Sequence, residues 1–157
     1  MPIPHAAIDL FAAGPARLRA ACADLTVAQR NARVAPGTWS IQEVVVHLVD
    51  CDAAVLHRMR RIVAEDRPLL VSFDEDALVA RLPSEKVDLE MALALFESLR
   101  AFTSGWLRTL SEPDFERAGV HTQRGLVTLR QLVEVYAGHV DHHLAFVRGK
   151  RATLGVG

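Results

Sequence analysis

The sequence predicts an all-α protein: a four-helix bundle whose second and third helices are joined by a long, partly helical connection. Three observations predict it. Four long segments repeat apolar side chains at three- and four-residue spacing. Two of them open on a reciprocal helix cap, Ser40 with Glu43 and Thr128 with Gln131. The stretches with strand character, VSF at 71–73 and GLV at 125–127, are too short to count.

The first helix is expected from about Pro4 to about Arg30. Ile8, Phe11, Leu18, Cys22 and Leu25 recur at helical spacing, and Gly14-Pro15 should kink or delay it. Pro36-Gly37 is a turn signal. The second helix should start at about Ile41, behind its cap, and run to about Asp66, with Pro68 just beyond. In the connection, Asp74-Glu75-Asp76 opens a short helix that ends before Pro83. The third long helix, from about Asp88 to Leu110, carries Leu89, Leu93, Phe96, Leu99, Phe102, Trp106 and Leu110 on one face. After Glu112-Pro113 the chain reads as irregular, with a short turn at Asp114 to Arg117. The fourth helix should run from about Leu129 to Arg148, with Gly149 as its stop.

The chain has 157 residues, 50% hydrophobic and 24% charged, the balance of one globular domain spanning 1–157. Eighteen Lys and Arg against nineteen Asp and Glu leave a net charge of −1, and the basic residues are dispersed, so no nucleic-acid partner is expected. Two cysteines, Cys22 and Cys51, make no disulfide framework. No apolar run reaches the length of a membrane span, and the N-terminus lacks the pattern of a secretory signal. A cytoplasmic protein is expected.

The chemistry concentrates near the C-terminus, in His139-Val140-Asp141-His142-His143. On a helical wheel the apolar face of the fourth helix centres ~60° from His139, His143 lies ~40° from it, and His142 falls on the far side at about −60°. His139 and His143 therefore stack on the core face at i and i+4, the way a helix offers two nitrogens to one metal ion. A third ligand has to come from a facing helix. His47 lies at the edge of the core face of the second helix and is the candidate. Cys51, four residues on, forms a rival pair with it or is a small core residue. Asp50 either orients His47 or is a solvated carboxylate. His142 and His57 should face solvent, His121 should be an exposed loop residue at a pocket rim, and His5 has no evident role. Trp39 reads as a plug ahead of the cap, and Trp106 and Phe102 read as core.

Two stretches carry a resemblance. TWSIQEVVVHLVDCD resembles the W-[ST]-I-x-E-x-x-x-H-L-x-D segment of the DinB/YfiT-like family, and YAGHVDHHLAFV resembles its closing H-x-x-H-H-L segment. The intervening FDEDAL and HTQRGLVTLRQL stretches also fit, so the resemblance reaches from the first helix to Gly149. It implies a four-helix bundle, often dimeric, that binds a divalent metal such as nickel or zinc through three histidines. Carried over, these are His47, His139 and His143.

The resemblance further implies a metal-dependent enzyme acting on a small molecule. Transfer of a low-molecular-weight thiol such as bacillithiol or mycothiol to a small electrophile is the preferred expectation. A metal-dependent hydrolase, or a non-catalytic metal-binding stress-response protein, is the alternative. A divalent ion with an open position either lowers the pKa of bound water or holds a thiol as thiolate. A homodimer is expected.

Overall fold

A computed structural model describes residues 1–156. In chain order the elements are α1 (His5–Cys22), α2 (Val27–Asn31), α3 (Ile41–Ala64), β1 (Leu69–Leu70), α4 (Glu75–Arg81), α5 (Leu89–Leu107), α6 (Glu112–Glu116), β2 (Ala118–His121), β3 (Gly125–Thr128) and α7 (Leu129–Thr153), with a 3₁₀ turn at Ser84–Lys86. The long helices α1, α3, α5 and α7 form a four-helix bundle. α1 packs on α5 and α7, and so does α3, so α1 and α3 lie diagonally across the bundle. Among the described residues no helix is long and apolar enough to cross a membrane.

Both caps read from the sequence are formed. Ser40 and Glu43 bond reciprocally at the start of α3, and Thr128 and Gln131 do so at the start of α7. Each pair satisfies two of the backbone groups that a helix start leaves open.

Several expectations are corrected. The first helix stops at Cys22, because Asp24 turns the chain with φ at 60°. Thr26 and Gln29 then cap a separate α2. α7 does not stop at Gly149 but runs to Thr153; Arg151 donates to the Ala21 and Ala23 carbonyls at the end of α1 and pins the last turns in place. Phe102 is exposed rather than core, with Arg60 over its ring. GLV at 125–127, read as too short to count, does pair within β3, whereas VSF at 71–73 stays outside the sheet and the strand β1 ends just before it at Leu70. β1 runs parallel to β2 and β2 antiparallel to β3, with Leu70 beside His121 and Val120 beside Leu126. Each strand is short, but the neighbouring helices bury one side of the sheet through Leu70, Phe115 and Val127, and a small sheet needs such support.

The bundle has two apolar cores. One gathers Leu18, Val44, Leu48, Phe96, Val140 and Leu144; the other gathers Ile8, Val55, Met59, Leu107, Leu129 and Leu132. Arg100 lies at the waist between them, with no solvent exposure. Its guanidinium pairs with buried Asp52 of α3 through Nε at 2.6 Å and Nη2 at 3.1 Å. It also donates to the carbonyls of Phe11 in α1 and Tyr136 in α7, both at 3.1 Å. Gly14-Pro15, expected to kink or delay the first helix, lies inside α1, which continues through it. Pro15 lacks the N–H that would reach the Phe11 carbonyl, and Arg100 supplies one instead. Gly14 makes room, since a Cβ there would lie 2.5 Å from the Arg100 Nη1.

Two stability predictions follow from this packing. Arg100→Met strands the buried Asp52 carboxylate and should cost about 3–5 kcal/mol in urea unfolding, with most of it recovered in Asp52→Leu/Arg100→Met. Gly14→Ala should lower the melting temperature although alanine is favoured over glycine in helices by about 1 kcal/mol. Gly105→Ala, where nothing lies within 4 Å, should raise it.

Candidate metal centre

Four side chains from two facing helices meet above the waist. α3 presents His47 and Cys51, one turn apart, and α7 presents His139 and His143, also one turn apart. His47 is 3% exposed and His143 8%; His139 is half-buried. The Nε2 atom of His143 lies 3.2 Å from Nε2 of His47 and 3.1 Å from Nε2 of His139. Trp39 covers the cluster, near-parallel to the His143 ring and 4.8 Å from the His47 ring. The structure thus brings together the three histidines singled out in the sequence, with His47 far more buried than its place on the wheel implied.

Direct hydrogen bonds explain this arrangement poorly. A neutral imidazole nitrogen carries either one proton or one lone pair, so Nε2 of His143 cannot serve two neighbours equally well. Charging the rings is disfavoured. Burial, reinforced by the neighbouring imidazoles, lowers the pKa of His139 to about 3 and that of His143 to about 4; burial also lowers that of His47. Neutral imidazoles are the form that binds metals. Metal–nitrogen bonds of about 2.1 Å place adjacent ligand nitrogens ~3.0–3.4 Å apart, so the spacing fits a cation held among them.

A second trio overlaps the first. Donor atoms of His47, Cys51 and His139 lie within 4.8 Å of one another. Cys51 Sγ is 3.6 Å from Nε2 of His47. Burial pushes its thiol pKa well above the ordinary value, so without a cation it is a neutral thiol. The three-nitrogen set has the closer contacts and needs no deprotonation. Asp50 makes no hydrogen bond to His47 among the described residues. His142, against Phe146, and His57 are exposed, as expected, and so is His5.

Sequence reasoning missed two features. Glu75, at the start of α4, brings a carboxylate oxygen to 3.9 Å of His47 Nε2. His121 is 7% exposed rather than an exposed loop residue, because it ends a strand that the sequence did not reveal, though it does line a cavity as expected. One cavity borders His143, and a second is lined by residues that reach the other histidines. One, about 270 Å³ and mostly apolar, lies beside His143 between Trp39, Val44, Phe146 and Lys150. The other, about 50 Å³ and polar, lies beside Glu75, His121 and Tyr136.

Fold and site define a class: helical bundles that gather imidazoles from two facing helices around one interior point. The chain belongs to the DinB superfamily, whose family model matches residues 10–147. A Bacillus licheniformis protein described as a candidate metal-dependent hydrolase is 30% identical over 142 residues, covering 90% of this chain and 81% of that protein. YfiT of Bacillus subtilis, described the same way, is 29% identical over 142 residues, covering 90% and 80%. The solved structure of YfiT matches with a TM-score of 0.91 at 27% identity, over 98% of this chain and 88% of that one; it is described as having an unusual four-helix bundle topology.

The depressed histidine pKa values predict how metal-free protein responds to acid. Unfolded histidines take up protons below about pH 6.5, whereas the folded ones resist down to about 4 and about 3. The stability they contribute is complete above the unfolded value and is lost as pH falls through the folded ones. Urea midpoints should therefore fall between about pH 7 and about pH 4.5, and His139→Gln should flatten that dependence.

Proposed function

We propose that the chain is a metal-dependent enzyme in which His47, His139 and His143 hold one divalent ion, nickel or zinc, and that it transfers a low-molecular-weight thiol to a small electrophile. The observation that carries the metal assignment is that Nε2 of His143 lies 3.2 Å from Nε2 of His47 and 3.1 Å from Nε2 of His139, where as a single donor or a single acceptor it cannot satisfy both. Three nitrogen donors suit zinc and nickel. They leave coordination positions open, as catalytic rather than structural sites do. When bound, such an ion supplies a positive centre that holds a thiol as thiolate or acidifies water near neutral pH.

The chain's own residues support a reaction with two reactants. The apolar cavity beside His143 suits the hydrophobic part of an electrophile, with Trp39 and Phe146 as its walls. The second, polar cavity suits a thiol bearing polar groups, of the bacillithiol or mycothiol kind. Glu75 opens onto that second cavity beside His47, where its carboxylate takes the proton released by an incoming thiol. Hydrolysis is the second reading. The relatives' descriptions favour it, and the same carboxylate would then take a proton from water. A homodimer belongs to the proposal too. Leu10 on α1 and Val135 on α7 are exposed and give it an apolar edge, and light scattering would read it.

Elemental analysis of tag-free protein should find roughly one divalent ion per chain. His139→Ala/His143→Ala should lose it and Cys51→Ser should keep it; retention by the first or loss by the second would transfer the assignment to the cysteine set. On metal-loaded protein, Glu75→Gln should keep the ion while slowing turnover by about 10²–10⁴-fold. Parallel assays with thiol plus alkylating electrophile and with activated esters decide between transfer and hydrolysis.

A further inference from the structure

A second group of donors lies beside the histidines, and the metal site does not use it. Arg58 of α3, His121 at the end of β2 and Arg124 in the β2–β3 turn line the small polar cavity together with Glu75 and Tyr136. These donors come from separate parts of the chain, and the three-stranded sheet brings them to one place.

Each donor has capacity to spare. Arg58 is 8% exposed, yet among the described residues it pairs with no carboxylate. It gives one N–H, from Nη2, to the Val71 carbonyl at 2.6 Å, and its guanidinium lies over the Phe73 ring at 5.5 Å. A largely buried guanidinium ordinarily has an anionic partner. Arg124 is exposed and makes no hydrogen bond or ion pair among the described residues. His121 accepts the Gln123 backbone N–H at Nδ1, at 3.2 Å. That fixes its neutral tautomer: the proton is on Nε2, which has no partner among the described residues and is a donor. Burial and the two guanidiniums keep the ring neutral, and both guanidiniums also act on the Tyr136 phenol. Two fixed positive charges and one neutral N–H donor therefore bear on one spot.

The carboxylate that could neutralise them faces elsewhere. Glu75 borders the cavity, but its oxygen is directed to His47 at 3.9 Å and forms no ion pair with either arginine. Glu75 and Tyr136 join the two places: Glu75 reaches His47, and the Tyr136 ring lies 5.4 Å from that of His139. A cavity of about 50 Å³ admits a small polar head rather than a whole substrate, leaving the rest of the molecule to reach the histidines.

We propose that Arg58, Arg124 and His121 form an oxyanion subsite that binds a carboxylate or phosphate carried by the substrate and so sets its reacting end against the histidine cluster. Planar guanidinium groups bind both oxyanions in two-point fashion. The link to catalysis rests on the metal-dependent enzyme reading above. Anion binding itself does not.

The test is titration with succinate and with inorganic phosphate at fixed ionic strength, following the imidazole resonances of histidine-labelled protein. It is run on chelator-treated protein and on protein reloaded with zinc. The expected result is a saturable shift of the His121 resonances in both preparations, weakened roughly tenfold or more in Arg124→Ala and in Arg58→Lys. Arg124 is exposed, so its variant tests the subsite without disturbing the fold. Stronger binding of succinate would assign the subsite to carboxylates, and stronger binding of phosphate would assign it to phosphoryl groups. Absence of saturation with both probes, unchanged affinity in Arg124→Ala, or shifts confined to His139 and His143 would overturn the proposal. Because the chelated arm needs no metal, failure here leaves the metal assignment standing, and protein without metal can still support the subsite.

Discussion

Four helices meet on one guanidinium. Arg100 belongs to α5, pairs with Asp52 of α3, and donates to main-chain carbonyls of α1 and α7. It is also stacked between Phe11 and Phe96, whose ring centres lie 4.1 and 4.7 Å from its carbon. Removing a cation from water is expensive, and the cost is offset only when each of its donors finds an acceptor. Sliding any one helix along its axis would break a bond that nothing else in the waist replaces. Apolar side chains alone tolerate small slips in register; a buried charge hydrogen-bonded to three other helices does not.

That constraint reaches the candidate metal centre through the chain. Asp52 is five residues beyond His47 in α3, and Tyr136 is three residues before His139 in α7. Holding both to the same guanidinium sets the height of His47 against His139 and His143. The site leaves bonding unmet, since the single Nε2 of His143 faces two neutral imidazoles and Nδ1 of His139 is buried without a partner among the described residues. A bundle can carry that local cost because two apolar cores and a bonded waist hold the helices from both ends.

The connections bring what the helices cannot. The segment between α3 and α5 supplies Glu75, and the short sheet supplies His121 and Arg124. Rigid helices carry the histidines, whose spacing has to be accurate, while turns and strands carry the groups that face the polar cavity. Catalytic proteins commonly divide labour in this way between scaffold and loops.

Helical periodicity and capping were local enough to read from the sequence. Ser40 with Glu43 and Thr128 with Gln131 mark helix starts through contacts three residues apart, and His139 with His143 share a face by helical geometry alone. His47 was a weaker case, nominated by position and supported by family resemblance. The rest depended on contacts between segments far apart in the chain. The short strands are stable because of what buries them, and Gly14-Pro15, which looks like a break, is a seat for a side chain 86 residues away. The helix that runs through Gly149 is held by carbonyls near residue 22, and His121 is buried by a strand pairing that its own neighbours do not announce. The sequence by itself determined where the four long helices lie and most of the face each presents, because those follow from backbone geometry. Only the tertiary structure decided how the faces meet, because a buried charge, an orphaned carbonyl and a two-residue strand acquire their partners only when the chain closes on itself.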